Sequence, residues 1–252
     1  MSLSGRTALV TGAGRGIGRA IALELADAGV TLAVVARTAT ELDETVWLVS
    51  ERGGEAVAIV ADLGETGSAV KVAERAASAM GRVDILVNNA AVVQPVGPTV
   101  DLDMTAWAAA FDLNVFAAVE LALSVVPGMV QRGWGRVANV SSGVVARPGF
   151  MVGGNAYAAT KAALEAHTLN LAEEVSGTGV TVNVYRPGMV DTAMQTWLRD
   201  SGKGRLSAST YMHFVDSHAN GSLIRPEDSA RSLVARLDGA ATGQVWAAHD
   251  QL

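Results

Sequence analysis

The sequence predicts an α/β fold: one domain over residues 1–252, built on a doubly wound parallel sheet of about seven strands with helices on both faces. Three observations carry this. Short β-branched or apolar runs alternate with longer runs of helical period along the whole chain. The glycine-rich turn Thr11-Gly12-Ala13-Gly14-Arg15-Gly16-Ile17-Gly18 joins the first strand to the first helix. No internal repeat or low-complexity linker divides the chain.

Thr7–Val10 reads as the first strand. Gly16–Ala28 follows as a helix, with Ile17, Ala20, Ile21, Leu23 and Leu25 as its apolar face. Strand Thr31–Ala36 and helix Glu41–Arg52 come next, then strand Ala56–Val60 and helix Ser68–Met80. Ile85–Val87 is the fourth strand. A long helix covers much of Thr105–Arg132, started by a capping Asp103 or Thr105. Strand Val137–Val140, helix Ala156–Glu174 and strand Val180–Val184 continue the alternation. Pro226–Leu237 is a helix with Pro in its first turn, and Gln244–Ala248 is the last strand. Residues 189–223 break the pattern; their polar, Gly-rich middle, Ser201-Gly202-Lys203-Gly204, reads as a mobile flap over a binding site.

Half the residues are hydrophobic and 17% are charged, so a large core is easily built. The formal charge of -6 argues against nucleic-acid binding, which needs clustered Lys and Arg. The chain has no cysteine, which excludes disulfides, thiolate metal sites and cysteine nucleophiles and fits a reducing cytoplasm. The four histidines, His167, His213, His218 and His249, lack metal-ligand spacing and read as surface or packing residues, so no metal is expected. The first residues show no signal-peptide core, and the apolar stretch Val115–Val130 is broken by Glu120, Pro127 and Gly128. The expectation is a soluble, cytoplasmic protein with no membrane partner.

Gly12, Gly16 and Gly18 end the first strand and open the first helix, where a pyrophosphate can approach the backbone and meet free N–H groups. That placement points to a Rossmann-like sheet binding a dinucleotide. An NAD site carries an acid at the end of the second strand, bonded to the ribose 2′-OH. Here that position is Ala36, followed by Arg37, and the glycine loop adds Arg15. Two arginines without an acid suit a 2′-phosphate, so NADP(H) is preferred and NAD(H) stays possible; two solvated surface arginines would look the same. Asp62, after the third strand, can accept from an adenine amino group or simply cap a helix.

Further along lie Asn88-Asn89-Ala90, Asn114, the pair Ser141-Ser142, Tyr157-x-x-x-Lys161, and Pro187-Gly188-x-x-x-Thr192. With the glycine loop in this order, the chain resembles the short-chain dehydrogenase/reductase family over essentially its whole length. The resemblance implies a carbonyl reductase or alcohol dehydrogenase that moves hydride between a nicotinamide and a small carbonyl or secondary alcohol. Tyr157 would exchange the proton, and its phenol would need help to do so near neutral pH. Lys161, one turn on along the same helix face, supplies positive charge. Ser142, rather than Ser141, would hold the substrate oxygen, and Asn114 would hold a water relaying protons to Lys161. The resemblance further implies that Lys161 holds the nicotinamide ribose and that Thr192 and the Val190 backbone hold the carboxamide. Asn88 and Ala90 would line the adenosine side. Ile17, Leu63, Pro187 and Gly188 would complete the cofactor contacts. A non-catalytic nucleotide-binding regulator is the alternative from another class.

The chain departs from the family pattern at Ala91, where glycine is common, so strain is expected if that site needs positive φ. It also lacks the Asp-Gly-Gly ending common in the family, closing instead on His249-Asp250-Gln251-Leu252. Val92, Val93, Phe150, Met151, Met189, Met194 and Trp197 are candidate substrate-pocket residues, mostly apolar, pointing to a ketone or alcohol with a hydrophobic body, while the stretch Asp191-Thr192-Ala193-Met194-Gln195 resembles that of family members reducing diketones and pterins. Arg147 faces either solvent or an anionic substituent. The long helices from Thr105 and Ala156 are rich in Ala and Leu; covering the sheet would account for that, and the resemblance implies that they pack between subunits of a homo-oligomer, a tetramer rather than a dimer.

Overall fold

The computed structural model describes residues 3–249, leaving Asp250, Gln251 and Leu252 of the unusual ending outside the described residues. Seven parallel strands form one sheet in the order β3-β2-β1-β4-β5-β6-β7. They are β1 (Thr7–Thr11), β2 (Thr31–Ala36), β3 (Ala56–Val60), β4 (Ile85–Asn88), β5 (Gly135–Val140), β6 (Val180–Arg186) and β7 (Val245–Ala247). The helices are α1 (Gly16–Asp27), α2 (Ala39–Glu51), α3 (Ser68–Met80), α4 (Met104–Phe111), α5 (Ala117–Arg132), α6 (Asn155–Glu174), α7 (Ala193–Ser201), α8 (Ala208–Ala219) and α9 (Pro226–Leu237). Strand order reverses between β1 and β4, and a crevice opens beyond their C-terminal ends.

Strand alternation decides which helices cover which face. Ala8 and Val10 of β1 point into the core shared with Ile21 and Leu25 of α1 and Leu233 of α9. Leu9, between them, points into the opposite core with Val72 of α3 and Leu121 of α5. Both faces are therefore apolar, and β1 reads as a continuous hydrophobic run. Each fully buried Leu or Val contributes about 1.5–3 kcal/mol. β6 is further tied to α9 by the buried Tyr185 hydroxyl, which donates to the Ser229 carbonyl at 2.6 Å.

Two expectations change. Residues 189–223 are not irregular: they fold into α7 and α8, because Leu198, Leu206 and Phe214 bury against Val93, Met151 and Tyr157 in a third apolar cluster. The long helix is capped by Asp103, whose carboxylate accepts from Ala106 N at 3.0 Å. It runs Met104–Arg132 but widens into a π-turn at Asp112–Phe116. By length and composition this helix could cross a membrane; here Leu121, Val125 and Met129 on its inner face are packed in the core.

Candidate active site

The crevice at the β1 and β4 ends is built on glycine. Gly12 has φ +64°, and a Cβ there would lie 2.8 Å from Asn89 Nδ2 and 2.9 Å from Ala90 Cα. A Cβ on Gly18 would come within 2.2 Å of the Gly12 carbonyl oxygen, so α1 can enter only without one. Thr11 Oγ1 fixes the facing loop by accepting from the N–H groups of Asn89 and Ala90, both at 3.0 Å. Asn89 Nδ2 donates back to the Thr11 carbonyl at 2.9 Å. Arg15, before α1, makes no side-chain cap, and the N–H groups of Gly16, Ile17 and Gly18 have no acceptor among the described residues. Free donors, the dipole end of α1 and an open cradle suit a pyrophosphate.

The cleft over this cradle has a volume of about 400 Å³. Gly12, Arg15, Gly16, Ile17 and Gly18 line its floor; Arg37, Asp62, Leu63 and Ala90 line one end; Tyr157, Lys161, Pro187 and Thr192 line the other. Asn88 does not reach it. Strand alternation turns Asn88 into the sheet opposite its register partner Asn139, to whose Oδ1 it donates at 2.8 Å. The neighbouring Asn89 lines the cleft instead. Asp62 caps no helix, since α3 begins at Ser68; it accepts from Gly64 N at 2.9 Å. Ala91 also lines the cleft, and no described residue other than glycine has positive φ, so alanine carries no strain there.

The two arginines at the rim are paired. Arg15 Nη1 lies 3.3 Å from Glu41 Oε1, and Arg37 Nη1 lies 3.7 Å from Asp62 Oδ2. Glu41 is a cleft residue that the sequence conceals, because its place in α2 looks like that of any solvent-facing acid. Its carboxylate sits 2.9 Å from where a Gly14 Cβ would be, and Ala36 Cβ sits 3.2 Å from the same point. An acid from α2 therefore stands beside Ala36 at the end of β2.

A second cleft of about 360 Å³ adjoins the first. Ile17, Val93, Ser141, Tyr157, Pro187, Thr192 and Met194 line both. Ser142, Gly188 and Val190 belong to the second alone, with Phe150, Met151 and Met189, whereas Val92 and Trp197 face the first. Gln195, His213 and His249 also line the second cleft, so these two histidines are not mere surface residues. The Gln195 Oε1 is buried without a protein partner.

Tyr157 and Lys161 stand on the buried face of α6, where the clefts meet. Burial pushes the Tyr157 phenol above its ordinary pKa; a hydrogen bond with the Ser142 side chain pulls the other way. Lys161 Nζ donates to the Val140 carbonyl at 2.7 Å and lies 5.8 Å from the Tyr157 ring centre. Burial lowers Lys161 to about 8, opposed by the charge of Glu165. Ser141 differs from Ser142 in being committed, donating to Glu165 Oε1 at 2.6 Å.

Asn114 lies in the π-turn, buried, and lines neither cleft. Its Oδ1 accepts from Val92 N at 2.8 Å, and its Nδ2 donates to the Val92 carbonyl at 2.9 Å and to Thr160 Oγ1 at 3.0 Å. Both amide hydrogens are spent, so the side chain ties the cleft wall to α6 rather than donating to a water. Thr160 in turn donates to the Tyr157 carbonyl at 2.8 Å.

The model of the short chain dehydrogenase family matches residues 6–202. A short chain dehydrogenase from Pseudocercospora fijiensis is 37% identical over 194 residues, 76% of this chain and 62% of that longer protein. The 3-oxoacyl-[acyl-carrier-protein] reductase FabG of Pseudomonas aeruginosa is 35% identical over 206 residues, 82% of each chain. A variant of actinorhodin polyketide ketoreductase, solved with NADPH, superposes with a TM-score of 0.86 at 31% identity, covering 98% of this chain and 96% of its own. The chain belongs to the short-chain dehydrogenase family of NAD(P)-dependent oxidoreductases.

Proposed function

We propose that this protein interconverts a ketone or diketone and a secondary alcohol, with NADP(H) as preferred cofactor and Tyr157 as general acid and base. The observation that carries this is the meeting of the two clefts at Tyr157, with Ser142 in the wall of the second and Lys161 one turn away in the wall of the first. The nicotinamide supplies or accepts the hydride when bound. Gly12 and the free N–H groups at the start of α1 would hold the cofactor's pyrophosphate, and Pro187 and Thr192 would orient its nicotinamide. Ser142 fixes the substrate oxygen beside the phenol, and Tyr157 passes its proton to that oxygen as the alcohol forms. A buried, cationic Lys161 stabilises the phenolate left behind and holds the nicotinamide ribose. Asn114 is a positioning residue, acting through Val92 and Thr160.

NADP(H) is supported by Arg15, Arg37 and the uncharged Ala36 around the adenosine end. A second reading, NAD(H) with alcohol oxidation, is favoured by Glu41, an acceptor placed for a ribose hydroxyl. The proposal includes a cytoplasmic homo-oligomer, a tetramer rather than a dimer. Phe116, Leu123 and Val130 support it by forming an exposed apolar stripe along the outer side of the π-turn and α5, with Leu169 exposed on α6.

Tyr157→Phe tests the chemistry. Turnover of a ketone panel should fall by about 10²–10⁴, the usual contribution of a general acid, while cofactor binding measured by nicotinamide fluorescence stays within twofold of about unity. Undiminished turnover would leave the nucleotide-binding regulator as the better reading.

A further inference from the structure

We infer that the second cleft takes a carbonyl compound with an apolar body and a carboxylate at the end remote from the carbonyl, recognised by Arg147 at the rim. This rests on the carbonyl chemistry proposed for Tyr157. The cleft is graded in polarity along its length. Ser142 and Tyr157 supply hydroxyls at one end, and Val144, Met151, Met189, Leu198 and Phe214 supply an apolar wall. The remaining ionisable side chains that line it are Arg147, His213 and His249, with no Asp or Glu among the described lining residues. That is notable in a chain with 25 acidic and 19 basic residues.

Arg147 also differs from the arginines of the first cleft. Arg15 and Arg37 are each paired with a carboxylate, whereas Arg147 has no ion-pair partner among the described residues. Its guanidinium carbon instead stands 5.5 Å from the Phe150 ring centre, and Phe150 is itself 61% exposed. Arg147 immediately precedes the short turn Pro148–Met151, whose Met151 is buried in the apolar cluster, so its backbone is anchored to the pocket wall. A stacked, unpaired guanidinium keeps its fork of N–H donors available, and a carboxylate matches that fork. A neutral, wholly apolar substrate would leave this cation unused.

The test uses the NADPH-loaded protein and a graded series of aliphatic oxo acids, each beside its methyl ester. At the best chain length the acid should be preferred about tenfold or more in kcat/KM, equal to about 1.4 kcal/mol. R147Q should bring the acid-to-ester ratio close to about unity. Esters equal to or better than their acids at every length would overturn the inference, as would R147Q leaving the ratio unchanged. Calorimetry separates this from the chemistry itself. If neither compound is reduced, the Tyr157 reading fails on its own. A binding preference for the acid that R147Q removes then still upholds the carboxylate site, and equal or absent binding sinks it.

Discussion

Glu165 grips Arg186 in a two-point fork, with Nε to Oε1 at 2.8 Å and Nη2 to Oε2 at 2.7 Å. The same carboxylate accepts from Ser141 at 2.6 Å and lies one turn from Lys161 on α6. One buried anion therefore joins the end of β6, the end of β5 and the lysine of the site.

Removing the anion should act on Lys161. Its charge raises the Lys161 pKa against burial, so Glu165→Gln should take that pKa below about 8. The high-pH limb of kcat/KM should then move to lower pH, with cofactor affinity less affected than turnover; a pH–rate profile checks this. Arg186→Met instead leaves Glu165 buried and unpaired, and urea unfolding should show a loss of about 3 kcal/mol or more.

Lys161 should make stability depend on pH in a defined window. Its folded pKa, about 8, lies below its ordinary 10.5, so between those values the unfolded chain binds the extra proton. Stability from this group therefore rises with pH from about 8 and levels off near 10.5. Lys161→Met should abolish that rise. Near neutral pH it should also raise the melting temperature by about 2–4 °C for each kcal/mol of burial cost removed. Calorimetric melts at three pH values would suffice, and a lower melting temperature for the variant at neutral pH would contradict this account.

At the adenosine end, NADPH should bind at least about tenfold more tightly than NADH, a gap of roughly 1.4 kcal/mol. Because Glu41 pairs with Arg15, Glu41→Gln should widen the gap by strengthening NADPH and weakening NADH. Fluorescence titration of both cofactors against both proteins measures this. NADH binding equal to or tighter than NADPH in the parent would select the alcohol-oxidising reading.

Leu123 is 71% exposed on α5, between Phe116 and Val130. If that stripe packs between subunits, Leu123→Lys should split the oligomer on light scattering without a loss of helicity. Replacement of one exposed leucine in a monomer would change stability by no more than about 0.5 kcal/mol.

Much of this was legible in the sequence because it depends on periodicity. Parallel strands covered on both faces are apolar in their middles, as are Ala8, Leu9 and Val10 of β1, Leu32, Ala33, Val34 and Val35 of β2, and Ile85, Leu86 and Val87 of β4. The glycine loop was legible because a Cβ at Gly18 cannot coexist with the Gly12 carbonyl. Asn88 was misplaced because motif position does not reveal which side of a strand a residue takes. α7 and α8 were hidden by a short Gly-rich link and by apolar residues that become a pattern only when Val93 and Met151 are brought opposite them. Glu41 and His213 stayed invisible because each reaches its cleft from a helix whose other exposed residues look the same.

The π-turn at Asp112–Phe116 has a further consequence. It makes the helix one residue longer than an unbroken α-helix of the same span. Each residue of an α-helix turns it by about 100°, and the wider turn absorbs the surplus residue without passing that rotation on to α5. Deleting a single residue there would let the turn relax to an α-helical one while α5 kept its phase. Leu121 and Val125 would stay in the core and Leu123 and Val130 outside it, while Asn114 lost its hold on Val92. A one-residue deletion in this turn therefore reaches the site and spares the outer surface.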